Sequence, residues 1–102
     1  MKQVYIIQKL SDSTFKIGVS KNPKQRLKAI QTGNEGELKL LATYPSQYAH
    51  KIESILHRTY LHAKQRGEWV DISLVEAYKF EEMCKKIEEN IVILKKSGNV
   101  FI

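Results

Sequence analysis

Phe15, Ile17 and Val19 alternate with Lys16, Gly18 and Ser20, and this period of two predicts a strand over 14–19. The run Val4, Tyr5, Ile6 and Ile7 is rich in β-formers and predicts an earlier strand over 3–8. Leu10-Ser11-Asp12-Ser13 reads as the turn of an antiparallel hairpin between them. The period then becomes helical. Asn22 suits an N-cap and Pro23 the first helical position, so a helix is expected over about 23–32, with Leu27 and Ile30 inward and Gly33 as C-cap. Leu38, Leu40, Leu41, Ala42 and Tyr44 predict a third strand, closed by Pro45-Ser46. Tyr48, Ile52, Ile55, Leu56 and Thr59 form an apolar stripe on a second helix over about 47–64, which Gly67 ends. Glu68 to Ile72 reads as a short extended piece. Ser73 and Glu76 make a capping box that opens a long third helix to about 96, ended by Gly98. Tyr78, Phe80, Met83, Cys84, Ile87, Ile91 and Leu94 are its packing candidates, and Val100-Phe101-Ile102 is an apolar tail suited to docking on the core or a second subunit.

A chain of 102 residues without repeats or linkers is one domain with one modest core. Residues 1–72 are expected to form the core unit, and 73–102 a helix and tail packed on it. No apolar run approaches the roughly 18 residues that span a bilayer, and the N-terminus does not read as a signal peptide. The single Cys84 excludes an internal disulfide and a cysteine-based zinc site. A cytoplasmic protein with no membrane partner is expected. The charge is uneven: residues 1–66 carry 12 Lys/Arg against 4 Asp/Glu, whereas 67–102 carry 5 against 7. A net of +8 on the first part and −2 on the second suggests a basic functional part and a near-neutral support. Nucleic acid is the commonest partner of such a basic face, and a surface tuned for solubility is the plain alternative.

The basic residues concentrate where strand turns into helix. Lys16, Lys21, Lys24, Arg26 and Lys28 fall within 14–30, and no acid lies between Asp12 and Glu35. A basic corner leading into a helix N-terminus is a natural seat for a phosphate. On the second helix, Glu53, His57 and His50 project at about 100°, 140° and 160° from Ile52, on one flank beside the apolar stripe. Glu53 is the only acid between Leu38 and Gly67, among Lys51, Arg58, Lys64 and Arg66. It reads either as a ligand for a divalent cation, which often takes one or two protein carboxylates, or as a salt-bridge partner of Lys51, Arg58 or His57. His50 and His57 read as surface or supporting residues, because their spacing matches no zinc motif. Trp69 reads as a core anchor rather than a base-stacking platform, and Cys84 as a buried helix residue rather than a nucleophile.

Taken together, Val4-Tyr5-Ile6, Lys16-Ile17-Gly18, Arg26 and Glu53 on a helix resemble the GIY-YIG nuclease superfamily. More narrowly, the chain resembles its T5orf172 and MUG113-type branch, which has Lys-Ile-Gly in place of Tyr-Ile-Gly. KIGVSKNPKQRLKAIQTGN, Glu53-x-x-Leu56-His57 and Gly67-Glu68-Trp69 fit that branch, and the resemblance covers residues 3–72. It implies an α+β fold, a small three-stranded antiparallel sheet flanked by helices, to which the long C-terminal helix is added. It also implies Mg²⁺- or Mn²⁺-dependent hydrolysis of DNA phosphodiesters with low intrinsic sequence specificity. Tyr5 would be the general base or orient the attacking water, and Lys16 stands where the second motif tyrosine usually stands. Arg26 would hold the scissile phosphate and Glu53 the metal. Gly18 would allow close backbone approach at the strand–helix corner. Lys21, Lys24, Lys28 and Arg58 would contact DNA phosphates without reading sequence. The family often has Tyr or His one turn after the Arg; Ile30 stands there, and His57 is expected to fill part of that role. Branched or nicked DNA, or a homodimer through the third helix, would supply specificity, and compact versions of this branch are often viral or carried by mobile elements. The competing readings are a binding module of the same fold without chemistry, and an interaction domain using the third helix.

Overall fold

The computed structural model describes residues 1–63 and 69–98. The chain runs β1 (Gln3–Lys9), β2 (Thr14–Ser20), α1 (Pro23–Gln31), β3 (Leu38–Pro45), α2 (Ala49–Thr59), a 3₁₀ turn (Leu61–Ala63), β4 (Trp69–Val70), α3 (Leu74–Tyr78) and α4 (Phe80–Lys96). The architecture is α+β, but the antiparallel sheet has four strands, in the order β3-β1-β2-β4. The extended piece after Glu68 supplies the fourth: Val70 pairs with Phe15 and Trp69 with Lys16.

The β1–β2 hairpin puts Tyr5 opposite Gly18, Ile6 opposite Ile17 and Ile7 opposite Lys16. Asp12 closes its turn, since its Oδ1 accepts from the Thr14 amide at 3.1 Å and from the Thr14 hydroxyl at 2.6 Å. This register divides the sheet into two faces. On one, Val4, Ile6, Phe15 and Ile17 pack with Ile52 and Leu56 of α2 and with Phe80, Cys84 and Ile91 of α4. On the other, Tyr5, Ile7 and Leu38 pack with Leu27 and Ile30 of α1 and with Leu40 and Trp69.

Helix ends depart from expectation for local reasons. Asn22 caps α1 by accepting from the Gln25 amide at 3.2 Å. Gly33 is not the expected left-handed cap, because the only glycine with positive φ among the described residues is Gly98. Side chains close α1 instead: Asn34 Nδ2 donates to the Ile30 carbonyl, while Gln31 donates to the Gly36 carbonyl and accepts from the Leu38 amide. The second helix starts at Ala49 rather than 47. Buried Ser46 takes the Tyr48 amide on its hydroxyl and the Ala49 amide on its carbonyl, which makes a turn before the helix. It ends at Thr59; the expected stop at Gly67 lies outside the described residues, as does the tail Val100-Phe101-Ile102.

The long helix expected from 73 is two helices. Ser73 caps the first, accepting from the Glu76 amide at 3.1 Å. Lys79, at φ −86° and ψ 6°, joins it to α4. Tyr60 reaches both segments, with its hydroxyl 3.3 Å from Glu76 Oε1 and 3.0 Å from Met83 Sδ. Burial pushes the Cys84 thiol up to about 12, which makes it a packing group at neutral pH.

Two tyrosines tie the C-terminal helices down in their neutral form. Tyr44 donates to Glu88 at 2.6 Å, and Ser46 donates to the same carboxylate. Desolvation, then Glu88, raises Tyr44 to about 12; desolvation, then Glu76, raises Tyr60 to about 12. Both values lie above the ordinary 10, so these contacts contribute fully below pH 10 and are lost as pH rises through about 12. Urea midpoints should therefore fall between pH 10 and 12, and less steeply when Tyr44→Phe and Tyr60→Phe are combined. An equal fall in that double variant would show that other groups govern the alkaline limb.

Candidate functional site

The site grows out of β2 at residues 16–18. Gly18 lies directly opposite Tyr5, and the tyrosine ring extends from the central strand across it. A Cβ built on Gly18 would sit 2.5 Å from Tyr5 Cζ and closer still to the hydroxyl oxygen. Gly18 is therefore needed by the Tyr5 side chain, rather than for the backbone approach expected at the strand–helix corner. Tyr5 is only 2% exposed. The expected relay position, Ile30, helps build the apolar cluster that holds it. No described residue hydrogen-bonds the Tyr5 hydroxyl.

Lys16 shares the Tyr5 face and is nearly buried, with Nζ 5.9 Å from the centre of the Trp69 ring. Lys9 covers that ring at 5.0 Å. Trp69 is thus both the core anchor expected and the partner of two ammonium groups. Lys9 was not singled out from sequence, although its parity with Tyr5 and Ile7 places it on this face. Of the Gly67-Glu68-Trp69 motif only Trp69 is described, and Lys64 and Arg66 likewise lie outside the described residues.

Glu53 and His57 reach β2 from α2. His57 Nε2 lies 2.9 Å from the Ile17 carbonyl, one residue past the rungs to β4, and donates to it. The same nitrogen is 3.8 Å from Glu53 Oε2. His57 Nδ1 is buried without a partner, so the ring is held by its other nitrogen alone. Among the described residues Glu53 pairs with neither Lys51 nor Arg58, and its one ionic neighbour is this distant imidazole. The carboxylate is half-buried, at 27% side-chain exposure. His50, one turn before Glu53, contacts Lys2 instead, at 2.9 Å.

Arg26 is exposed on α1. It lines a cleft of about 360 Å³ with Ser20, Lys21, Asn22, Gln25 and Ala29. Lys21 and Lys24 share a neighbouring hollow beside β3. Lys28 is exposed in the last turn of α1, and Arg58 is exposed on α2. The structure therefore joins Tyr5 to Gly18, Lys16 to Trp69 and Glu53 to His57, and places Arg26 beside Lys21. No ion pair or hydrogen bond joins Arg26 to Tyr5 or Glu53.

Among the described residues no three His, Cys, Asp or Glu side chains gather as a metal cluster. The donor set still fits Mg²⁺ or Mn²⁺, because such ions take one or two carboxylates and complete their shell with waters and substrate phosphate. A carboxylate that no lysine or arginine among the described residues neutralises meets that requirement.

The T5orf172 domain matches residues 2–89. The chain belongs to the T5orf172 family. The match runs from the start of β1 well into α4, past the limit at 72 drawn from the motifs alone. No curated protein and no solved structure matches the chain. T5orf172 membership makes the chain a nuclease-like or nucleic-acid-binding module. No helix among the described residues is long and apolar enough to cross a membrane.

Proposed function

We propose that this T5orf172 protein is a metal-dependent endonuclease that hydrolyses DNA phosphodiester bonds with little intrinsic sequence preference. The observation that carries the reading is Glu53, a half-buried carboxylate in a basic segment that no lysine or arginine among the described residues neutralises. A module that only bound nucleic acid would gain nothing from it, since the charge repels phosphate. Mg²⁺ or Mn²⁺ held by Glu53 would neutralise the phosphate and stabilise the departing oxygen. The chain's own residues do the rest. The Arg26 guanidinium, exposed and unpaired among the described residues, grips the non-bridging oxygens of the scissile phosphate. The Tyr5 hydroxyl, fixed over Gly18, accepts a hydrogen bond from the attacking water and orients it toward phosphorus, and that water's proton passes to solvent as the new P–O bond forms. His57 holds Glu53 in place against the Ile17 carbonyl. Lys21, Lys24, Lys28 and Arg58 hold flanking phosphates.

Nicking of plasmid and branched DNA with Mg²⁺ or Mn²⁺, against an EDTA control, tests the reading. Metal-dependent nicking by the wild type is expected; salt-sensitive binding without nicking would favour the second reading, a binding module without chemistry. Ile30 favours that alternative, because it replaces a hydrogen-bonding group beside Tyr5 with an apolar one. Exposed Ile93 and Leu94 on α4 support a homodimer through this helix, which sedimentation would detect.

A further inference from the structure

Three parts of the fold bring basic side chains together. Lys2 precedes β1, His50 and Lys51 stand in the first turn of α2, and Lys95 in the last turn of α4. His50, Lys51 and Lys95 line a pocket of about 350 Å³ with Gln47 and Tyr48. The contacts within it are unusual for cations. Lys2 Nζ lies 2.9 Å from His50 Nε2, so the ammonium donates to a ring nitrogen rather than to a carboxylate. Lys95 Nζ lies 4.9 Å from the centre of the Tyr48 ring, over its π face. Among the described residues no carboxylate lines the pocket. Glu88 of α4 and Glu53 of α2 are engaged elsewhere: Glu88 accepts from Tyr44 and Ser46, and Glu53 lies beside His57.

We infer that this pocket is a second phosphate-binding site, which takes the backbone of a nucleic-acid strand flanking the one at Glu53. Among the described residues these cations meet a ring nitrogen and a π face but no carboxylate, and a polyanion supplies the counter-charge. The placement favours a strand over a single small anion. His50 precedes Glu53 by three residues, about 4.5 Å along the helix axis, while each strand of a duplex carries one phosphate per roughly 3.4 Å of rise. A strand with one phosphate at Glu53 and running back along α2 passes His50, one turn before it on the same flank, and so reaches the pocket that Lys51 and Lys95 line. The exposed His50 ring and the half-exposed Tyr48 ring also offer surfaces to a sugar or an unpaired base. The site would set affinity and register without reading sequence. This inference rests on the chain binding nucleic acid, not on its cutting it.

The test is Lys51→Glu combined with Lys95→Glu, with Lys85→Glu and Lys86→Glu as the control. The control removes the same charge from exposed positions of α4 outside the pocket. Binding of a labelled duplex is titrated in EDTA over a range of salt, so that cleavage plays no part. The pocket variant should bind on the order of tenfold more weakly at low salt, with the slope of log K against log salt shallower by about 2. The control should change far less, and circular dichroism and melting should be as in wild type for both. Equal losses in pocket variant and control, or an unchanged slope in a folded pocket variant, would overturn the site. A wild type that binds through the pocket but never nicks DNA would sink the nuclease reading and leave this one standing.

Discussion

Glu53→Gln should reduce Mg²⁺-dependent nicking by at least about 10²-fold, the scale set by losing one electrostatic stabiliser of a developing charge. Binding in EDTA should be unchanged or tighter, because a carboxylate that faces phosphate opposes it whenever the cation is absent. The amide keeps the shape of the side chain, and Glu53 makes no tight ion pair among the described residues, so melting should hardly move. This separation of binding from chemistry is what marks a metal ligand. His57→Ala should cost less, about 10- to 100-fold, as expected when a support rather than a ligand is removed. Its effect should shrink as Mn²⁺ is raised, since a misplaced Glu53 still binds at higher concentration. Wild-type rates in Glu53→Gln would remove Glu53 from the mechanism. Inactivity of both proteins, with tighter binding by the variant, would leave a binding module.

Most of the frame was legible in the sequence. The hairpin followed from alternation through Phe15, Ile17 and Val19, the start of α1 from Asn22-Pro23, the start of α3 from Ser73 and the end of α4 from Gly98. Each of those signals acts over a few residues. What the pattern hid depends on contacts distant in the chain. β4 is two residues long, too short for any period, and it exists because Phe15 and Lys16 offer it a register. The break at Lys79 is invisible because the apolar spacing continues through it from Ala77 to Phe80 and Cys84. Glycine suggested a cap at Gly33, but the side chains of Gln31 and Asn34 close that helix more completely. For the site, helical projection put Glu53 beside His57 correctly. It could not show that His57 is anchored on Ile17, or that among the described residues no ion pair joins Glu53 to Lys51 or Arg58. The use of Gly18 was likewise hidden, since it follows from the register that sets Tyr5 opposite.

That register makes the Tyr5–Gly18 pair the other sensitive point. Gly18→Ala places a methyl group where the end of the Tyr5 ring now lies. A surface tyrosine could swing aside, but this one is nearly buried among Ile7, Leu38, Leu27 and Ile30. The expected destabilisation is about 1–3 kcal/mol, the usual cost of overpacking a core, read from urea unfolding. Nicking should fall as well, because the hydroxyl is displaced. Tyr5→Phe separates the two effects. It keeps the ring over Gly18 and removes a hydroxyl that no described residue bonds, so stability should change little. Nicking should nevertheless drop by about 10²–10⁴-fold if that hydroxyl serves the attacking water. In the double variant the ring still collides with the methyl, so the stability loss of Gly18→Ala should persist, while activity should fall no further than in Tyr5→Phe alone. Non-additive activity with additive stability would place the chemistry at the hydroxyl and the packing at the ring. Full activity in Tyr5→Phe would reduce Tyr5 to a core residue and leave Gly18 with a purely structural task.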